Sequence, residues 1–291
     1  MPDYRGPSRR SRLGVTVRTG MHGAIHSLLA SIMFFTRVPC GRWYRYDPSH
    51  EARASVFLPA VGWLVGAVAA AVYLLTAGWL PANVAVVIVL CTSALLTGAM
   101  HEDGFADFCD ALGAGGDRKR TLEIMSDPRI GAYGATGLVL ALLLKYSTLS
   151  ALLGGSAPGA PARAAFVFAL LIGAHASSRW AAAAIMAVYD HARPDGGPKS
   201  ASVARRMSGA DLALSSVFGL APVVVLALIG GAPLLAAALS APIAAGVLAS
   251  LFLKRLGGYT GDCLGAVQQV AEILFYGAVL TIASFGVPPA P

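Results

Sequence analysis

The sequence predicts an all-α fold, a polytopic bundle of about seven transmembrane helices with a short interfacial or re-entrant helix at its N-terminus. Two observations support this class. The 291 residues are 56% hydrophobic and only 13% charged, with a mean hydropathy of +0.66, whereas a soluble domain carries roughly a quarter of charged residues. The apolar residues also form seven runs that reach or approach the roughly 20 residues needed to cross the hydrocarbon core of a bilayer.

Each of the seven runs is interpreted as one membrane span. The second run is short, and its first residue, Asn83, fits the interface better than the hydrocarbon. An eighth run, residues 24–35, is too short to cross and is typical of an interfacial or re-entrant helix. The predicted spans are 56–77, 83–100, 132–153, 164–188, 212–229, 234–253 and 264–285.

Basic residues indicate the orientation of these spans. They cluster before the first span and between spans two and three, four and five, and six and seven, while the other three connections contain one in total, Arg163. Because cytoplasmic connections are enriched in Lys and Arg, the basic tail 1–23 and the loop 101–131 are expected in the cytoplasm, with the C-terminus on the opposite side. Residues 24–291 are then a single transmembrane catalytic domain.

The net charge of +7 is explained by this topology and by attraction to anionic lipids. The lipid bilayer is therefore an expected partner. No nucleic acid is expected as a partner, because no RNA- or DNA-binding motif accompanies the charge. The four cysteines lack the spacing of a metal site, and two of them lie in predicted cytoplasmic segments, where disulfides are rare.

The acidic residues are concentrated in the stretch HEDGFADFCDALGAGG, residues 101–116. Asp103, Asp107 and Asp110 are spaced i, i+4, i+7, which places them on one face of a helix, with Glu102 beside them. Like charges at this spacing repel, and carboxylates without Cys or His neighbours suit a hard cation such as Mg²⁺. The alternative is a solvated loop whose acids pair with the neighbouring basic residues. A metal-phosphate site is favoured because the acids adjoin a span and share a loop with a glycine turn.

A second polar block, EIMSDPRIGAYG, follows at residues 123–134. Asp127 is a candidate ligand, and Arg129 offers a planar fork for phosphate. Gly131 and Gly134 open the third span, where free backbone N–H groups favour an anion. Alone, the block is equally compatible with an ordinary loop-to-helix junction.

Charged residues also lie inside predicted spans, where each costs a few kcal/mol and usually faces the protein interior. Two interpretations remain open for them: they line the substrate cavity, or they pair between helices, Glu272 with Lys145 or Arg179. The residues concerned, with the polar stripe of the last span, are Lys145, His175, Arg179, Gln268, Gln269 and Glu272.

These blocks carry a resemblance to a known family. HEDGFADFCDALGAGG followed by LEIMSDPRIGAYG resembles the central signature of the cobalamin synthases, the adenosylcobinamide-GDP ribazoletransferases. FFTRVP, residues 34–39, is similar to the N-terminal element of that family, and GGYTGDCLGAVQQVAE, residues 257–272, is similar to its C-terminal element. Ala111 and Ala114 stand at positions where the family commonly has glycine. The similar blocks cover most of the chain.

The resemblance implies an enzyme of the bacterial inner membrane that joins adenosylcobinamide-GDP to α-ribazole or its 5′-phosphate, releases GMP and uses Mg²⁺. Asp103, Asp107 and Asp110 would hold Mg²⁺, with Glu102 as a further ligand, and one of these carboxylates could instead be the general base. The implied substrate-binding residues are Arg37 and Arg129 for the diphosphate, Tyr259, Thr260 and Asp262 for the guanosine or the ribazole, and Asp127, Arg179, Gln268 and Gln269.

Two other functions compete with this interpretation. A CDP-alcohol phosphotransferase also uses acids beside membrane helices, but its Asp-rich spacing is not reproduced after Asp107. A transporter also carries intramembrane charges, but the carboxylates here cluster towards one face of the membrane and no repeat symmetry is visible. A homo-oligomer is compatible with the sequence.

Overall fold

The computed structural model describes residues 21–154, 161–193 and 207–285, and within them it is helical with no β-strand. The predicted basic tail therefore lies almost entirely outside the described residues. The helices are α1 Met21–Phe35, α2 Pro48–Glu51, α3 Leu58–Ala77, α4 Ala82–Thr97, α5 Met100–Ala114, α6 Arg118–Ile124, α7 Ala132–Leu153, α8 Pro161–Val188, α9 Gly209–Gly230, α10 Ser240–Leu256 and α11 Gly261–Ser284. Short 3₁₀ segments, Ala54–Phe57 and Ala232–Leu239, precede α3 and α10.

The predicted membrane bundle is confirmed. Six helical segments among the described residues are long and apolar enough to cross a membrane, and the pair α4 and α5 brings the number to seven when it is counted as one bent span. The six segments coincide with predicted spans to within a few residues at each end. Helix α1 has 15 residues, which agrees with the prediction that this run is too short to cross.

The second span differs from its predicted form. It was expected to continue to residue 100, but α4 ends at Thr97, and α5 leaves it at an angle of 90°. The turn uses two successive left-handed residues, Gly98 with φ 68° and Ala99 with φ 56°, a conformation that costs an alanine roughly 1–2 kcal/mol. The acidic stretch is therefore a separate helix packed in the protein, and much of the predicted loop 101–131 is the helices α5 and α6.

Helix α8 is the central helix, and α3, α9, α10 and α11 pack around it. Gly62 and Gly66 of α3 make close contacts with α8. A methyl group on Gly62 would lie 2.4 Å from the backbone oxygen of His175, and one on Gly66 would lie 2.6 Å from the Cα of Ile172. Small residues four apart allow helix backbones to approach in membranes, so this pair fixes α3 against α8.

The basic connections meet at one end of the bundle. Arg118, the first residue of α6, donates hydrogen bonds to the carbonyl oxygens of Ala192, after α8, and of Leu256, at the end of α10. Arg193 donates to the carbonyl oxygen of Leu122 in α6 at 3.1 Å. Arg255 reaches the carbonyl oxygen of Leu112 in α5 at 3.3 Å. These contacts join the connections that the sequence predicts to share one side of the membrane.

Candidate active site

The acidic helix α5 crosses the first turns of α11 at a pair of glycines. A methyl group on Gly104 would lie 3.0 Å from the Cα of Asp262, and one on Gly265 would lie 3.0 Å from the backbone oxygen of His101. Side chains at these positions would separate the two helices. The contact brings Asp262, which is 155 positions after Asp107 in the chain (262 − 107), to the acidic helix.

Asp107 lies at the centre of the acidic residues. Helix α5 lies outside the six long apolar segments, and along it Asp103 is exposed, Asp107 half-buried and Asp110 buried. Partial burial, together with the nearby carboxylates of Asp262, Asp103 and Asp110, raises the pKa of Asp107 to about 7. Such a shift indicates that negative charge is concentrated around Asp107.

Beside these acids is a cavity of about 220 Å³ between α1, α5, α8 and α11. Asp103 and Asp262 both border it, so carboxylates from two helices face one space. Most of its wall is apolar, and its polar residues are few. The lining residues are Phe34, Phe35, Leu58, Met100, His101, Asp103, Ala182, Met186, His191, Tyr259, Gly261, Asp262, Leu264 and Gly265.

Asp110 has a structural role at the start of helix α7. One carboxylate oxygen accepts the N–H of Gly131 at 2.7 Å, and the other accepts the N–H of Gly134 at 2.8 Å. The sequence predicts an anion at these N–H groups, and the anion is this side chain rather than a phosphate. Both oxygens of Asp110 therefore cap helix α7, a structural role that the sequence did not predict, while its expected role in metal binding stays a prediction.

Asp127 and Arg129 pair with each other at the surface. The guanidinium of Arg129 donates to both carboxylate oxygens of Asp127, at 2.9 Å and 2.7 Å. Hydrogen bonds from Arg129 lower the pKa of Asp127 to about 2. The Arg129 side chain remains 86% exposed, and an exposed pair of this kind contributes little to stability. Arg129 is thus free to exchange this partner for a phosphate.

Arg37 lies at the break between α4 and α5. Its backbone N–H donates to the carbonyl oxygen of Leu96 at 2.8 Å, and its guanidinium lies directly over Gly98, where a methyl group would be 2.6 Å from its Nε. Arg37 is exposed. The FFTRVP element therefore carries a cation to the start of the acidic helix.

Tyr259 and Thr260 precede α11 and differ in role. Tyr259 borders the 220 Å³ cavity and is held by backbone hydrogen bonds to Asp190 and Ala192 after α8. Thr260 is buried, and its hydroxyl caps α11 by accepting the N–H of Cys263 at 3.3 Å. Thr260 is therefore a helix cap, which differs from its expected role in substrate binding, while Tyr259 remains at the cavity.

The charged residues inside the spans pair with one another. Lys145 of α7 lies 3.0 Å from Glu272 of α11, which confirms the interpretation of a pair between helices. The other carboxylate oxygen of Glu272 accepts from Gln268 at 2.6 Å and lies 3.4 Å from Nδ1 of His175. Arg179 donates to the carbonyl oxygen of His175 at 3.0 Å.

This network continues from α11 into α5 and fills most of the space between the helices. Gln269 extends it to α5 by donating to Oε1 of Glu102 at 3.0 Å. The remaining cavity among these side chains is about 20 Å³, which is the size of one water molecule. Arg179, Gln268 and Gln269 were expected to line the substrate cavity; in the structure they surround this small cavity, and their part in substrate binding stays a prediction. Within the described part of the chain, Oε2 of Glu102 and Nε of Arg179 make no hydrogen bond, so a water there would find polar partners.

No group of three or more His, Cys, Asp and Glu side chains is arranged as a metal cage in residues 21–154, 161–193 and 207–285. Mg²⁺ usually binds to proteins through one or two carboxylates and completes its coordination with water and substrate phosphates. The carboxylates that fit such binding are Asp103, Asp107 and Asp262, because their charges gather beside an open cavity. Glu102 fits less well, because one of its oxygens is already bonded inside the bundle.

Two contributors to the site were missed by the sequence analysis. Asp262 was assigned to substrate binding rather than to the acidic group. Its position just before the last predicted span, on the same predicted cytoplasmic side as the acidic stretch, could have indicated that the two lie close together. His191 borders the cavity and stacks edge-on to Tyr259 with ring centroids 5.3 Å apart. No pattern in the sequence marks it, because its position depends on how α8 ends against α11.

The comparisons with known proteins identify the family of this chain. The family model described as cobalamin-5-phosphate synthase matches residues 27–280. An adenosylcobinamide-GDP ribazoletransferase of Ralstonia nicotianae is 40% identical over 252 residues, covering 86% of this chain and 93% of that relative. Enzymes with the same name from Leptospira interrogans, 38% identical over 85% of this chain and 92% of the relative, and Vibrio cholerae, 36% identical over 85% and 90%, are also similar. No solved structure matches. The chain belongs to the cobalamin-5-phosphate synthase family of enzymes.

Proposed function

We propose that this enzyme joins adenosylcobinamide-GDP to α-ribazole or its 5′-phosphate, with release of GMP, in the presence of Mg²⁺. The name of the relatives supplies the substrates of the proposal. The observation that carries it is the cluster of the acids Asp103, Asp107 and Asp262, of which Asp103 and Asp262 border one cavity. This arrangement suits a reaction in which a diphosphate is bound and cleaved.

The reaction is a transfer at phosphorus. A ribose hydroxyl oxygen of the ribazole forms a bond to the phosphorus that carries cobinamide, and the bond from that phosphorus to the bridging oxygen breaks. GMP leaves with the bridging oxygen, and the hydroxyl proton passes to a base. A carboxylate with a raised pKa is suited to accept such a proton near neutral pH. Asp107 has this property, with a pKa of about 7.

Asp103 and Asp262 are the residues that would hold Mg²⁺, with Asp107 beside them as the proton acceptor and without Asp110, whose oxygens cap α7. When bound, the ion supplies neutralisation of the charge that develops on the diphosphate. Arg37 and Arg129 are exposed cations at the two ends of the acidic segment. Their part in the proposal is to bind diphosphate oxygens.

The proposed location is the bacterial inner membrane, with the site in the cytoplasm. The basic connections that contact one another through Arg118, Arg193 and Arg255 support this orientation, because such residues accumulate on the cytoplasmic side. The acidic helix lies at the same end, since Leu112 of α5 accepts the hydrogen bond from Arg255.

Asp107→Asn tests the proposal. Membranes that contain the wild-type chain should release GMP from adenosylcobinamide-GDP only when α-ribazole and Mg²⁺ are both added. The variant should lose about a hundredfold or more in rate, the scale on which positioned acid–base groups contribute, while its amount in the membrane stays unchanged.

Glu123→Gln is the matched control, because Glu123 is an exposed acid in α6 that pairs with surface Arg120 at 3.5 Å. It should keep the wild-type rate. Near-normal GMP release by Asp107→Asn would contradict the role of the acids. Release of CMP from a CDP-alcohol donor, with no activity on the guanosine donor, would favour the phosphotransferase alternative.

A further inference from the structure

We infer that the 220 Å³ cavity between α1, α5, α8 and α11 is the site for the benzimidazole base of α-ribazole. The inference rests on the proposed function and specifies which of the two substrates enters this cavity and by which part. Nothing in the proposed reaction requires this assignment, since either the ribazole or the guanosine end of the donor could approach the acids.

The size of the cavity suits a base rather than a whole nucleotide. Clefts that enclose drug-sized ligands are about 300–1,000 Å³, and this cavity is smaller, at about 220 Å³. A bicyclic base can enter it while the sugar stays outside. Phe34 and Met100 line the cavity and are themselves partly exposed, so it is open to an entering ligand.

The wall of the cavity matches an apolar aromatic ring. Phe35, Leu58, Ala182 and Met186 are buried residues on three segments that face this one space. Methionine and aromatic side chains make favourable contacts with the faces and edges of rings. The dimethylbenzimidazole of α-ribazole presents two methyl groups and a mainly hydrocarbon edge, and its one unsubstituted ring nitrogen is an acceptor for which His191 and Tyr259 in the wall offer donors.

Guanine fits this wall poorly. Its edge carries an oxygen, two ring nitrogens and an amino group that all need hydrogen-bond partners, and a buried polar group without one costs roughly 1–3 kcal/mol. The polar side chains of the cavity are mainly the acids Asp103 and Asp262, with His101, His191 and Tyr259. Asp103 and Asp262 can accept hydrogen bonds from the N1–H and amino group of guanine, whereas the phenylalanine, leucine, alanine and methionine side chains of the remaining wall offer no donor to its oxygen and its other ring nitrogens.

With the base in this cavity, Asp103 and Asp262 lie beside the ribose of α-ribazole. A base held among the apolar residues directs its ribose towards Asp103 and Asp262, the two carboxylates that border the same space. Carboxylate oxygens accept hydrogen bonds from hydroxyl groups. The reacting hydroxyl of the ribazole is thereby brought to the acids around Asp107, where the diphosphate of the donor is proposed to bind.

Ala182→Leu tests the assignment by filling the cavity from α8. The KM for α-ribazole should rise about tenfold or more, because overpacking of an occupied space costs at least this factor, while the KM for adenosylcobinamide-GDP should stay within about twofold. Ala187→Leu is the matched control, since Ala187 is in the same helix but not in the cavity wall. Its KM values should equal those of the wild type.

A second measurement needs no variant. Free 5,6-dimethylbenzimidazole should inhibit the wild-type enzyme competitively with α-ribazole and not with adenosylcobinamide-GDP, and Met186→Ala, which removes part of the wall, should weaken this inhibition several-fold. Competition with the guanosine donor alone would overturn the inference. An unchanged KM for α-ribazole in a folded Ala182→Leu enzyme that still turns over would overturn it too. Absence of GMP release from the wild type would instead show that the proposed function is wrong, and the inference would fall with it.

Discussion

Asp107 and Asp110 are neighbours on one face of α5, yet their surroundings give them opposite properties. Asp110 is 8% exposed, and each of its oxygens accepts a backbone N–H, so its charge is satisfied inside the protein. Asp107 is surrounded by other carboxylates, which help to raise its pKa to about 7. The same residue type is therefore a structural cap at one position and a candidate for chemistry three residues earlier.

Asp110→Asn should separate these two roles. The amide can accept with its oxygen only, so one of the buried N–H groups of Gly131 and Gly134 loses its partner, at a cost of about 1–3 kcal/mol. We expect a lower thermal unfolding midpoint in detergent, with GMP release retained in the folded fraction. Asp107→Asn should instead leave the unfolding midpoint nearly unchanged and abolish GMP release. An unchanged midpoint together with lost activity in Asp110→Asn would show that Asp110 takes part in the reaction.

The helices were predictable from the sequence where a short stretch of the chain is enough to determine them. A run of about 20 apolar residues is a span wherever it occurs, and α7 begins and ends at the predicted residues, 132 and 153. The helical spacing of the acids in α5 was likewise readable from the sequence. The 90° turn before α5 was not, because it depends on a left-handed Ala99, a conformation that alanine rarely adopts without tertiary contacts that enforce it.

The turn between α4 and α5 can be tested with a pair of substitutions. Gly98→Ala adds a methyl group at a residue with φ 68°, and this methyl group would meet the guanidinium of Arg37. The substitution should therefore destabilise the protein by about 1–2 kcal/mol. Ala99→Gly at the next position removes the same kind of strain at φ 56° and should be neutral or slightly stabilising.

The measurement for this pair is the unfolding midpoint of each variant in detergent, followed by the KM for adenosylcobinamide-GDP. Because Gly98→Ala also displaces Arg37 from the start of the acidic helix, it should raise that KM if Arg37 binds the diphosphate. Equal destabilisation by both variants would mean that the turn is not formed in the protein as described.

On the scale of the whole molecule, the site depends on contacts between distant parts of the chain. Asp262 joins the acids only because Gly104 and Gly265 allow α5 and α11 to cross, and no local pattern gives the position of such a crossing. The polar stripe of α11 illustrates the same limit. Its spacing predicts an inward face, which is correct, but whether Glu272 meets a substrate or Lys145 depends on how α7 packs beside it.

The ion pair between Lys145 and Glu272 should therefore contribute to stability rather than to substrate binding. Both side chains are at most 4% exposed, and removal of one partner from a buried pair leaves a charge that costs about 3–5 kcal/mol. Glu272→Gln and Lys145→Met should each lower the unfolding midpoint strongly. The double variant should be less destabilised than the sum of the two, with a coupling of about 0.5–3 kcal/mol, because it leaves neither charge alone.

The control is Lys254→Met, a change of exposed charge near the end of α10, which should leave the midpoint nearly unchanged. Additive effects of the two buried substitutions would mean that Lys145 and Glu272 do not connect α7 to α11. A selective rise in a substrate KM at unchanged stability would mean that Glu272 faces the substrate.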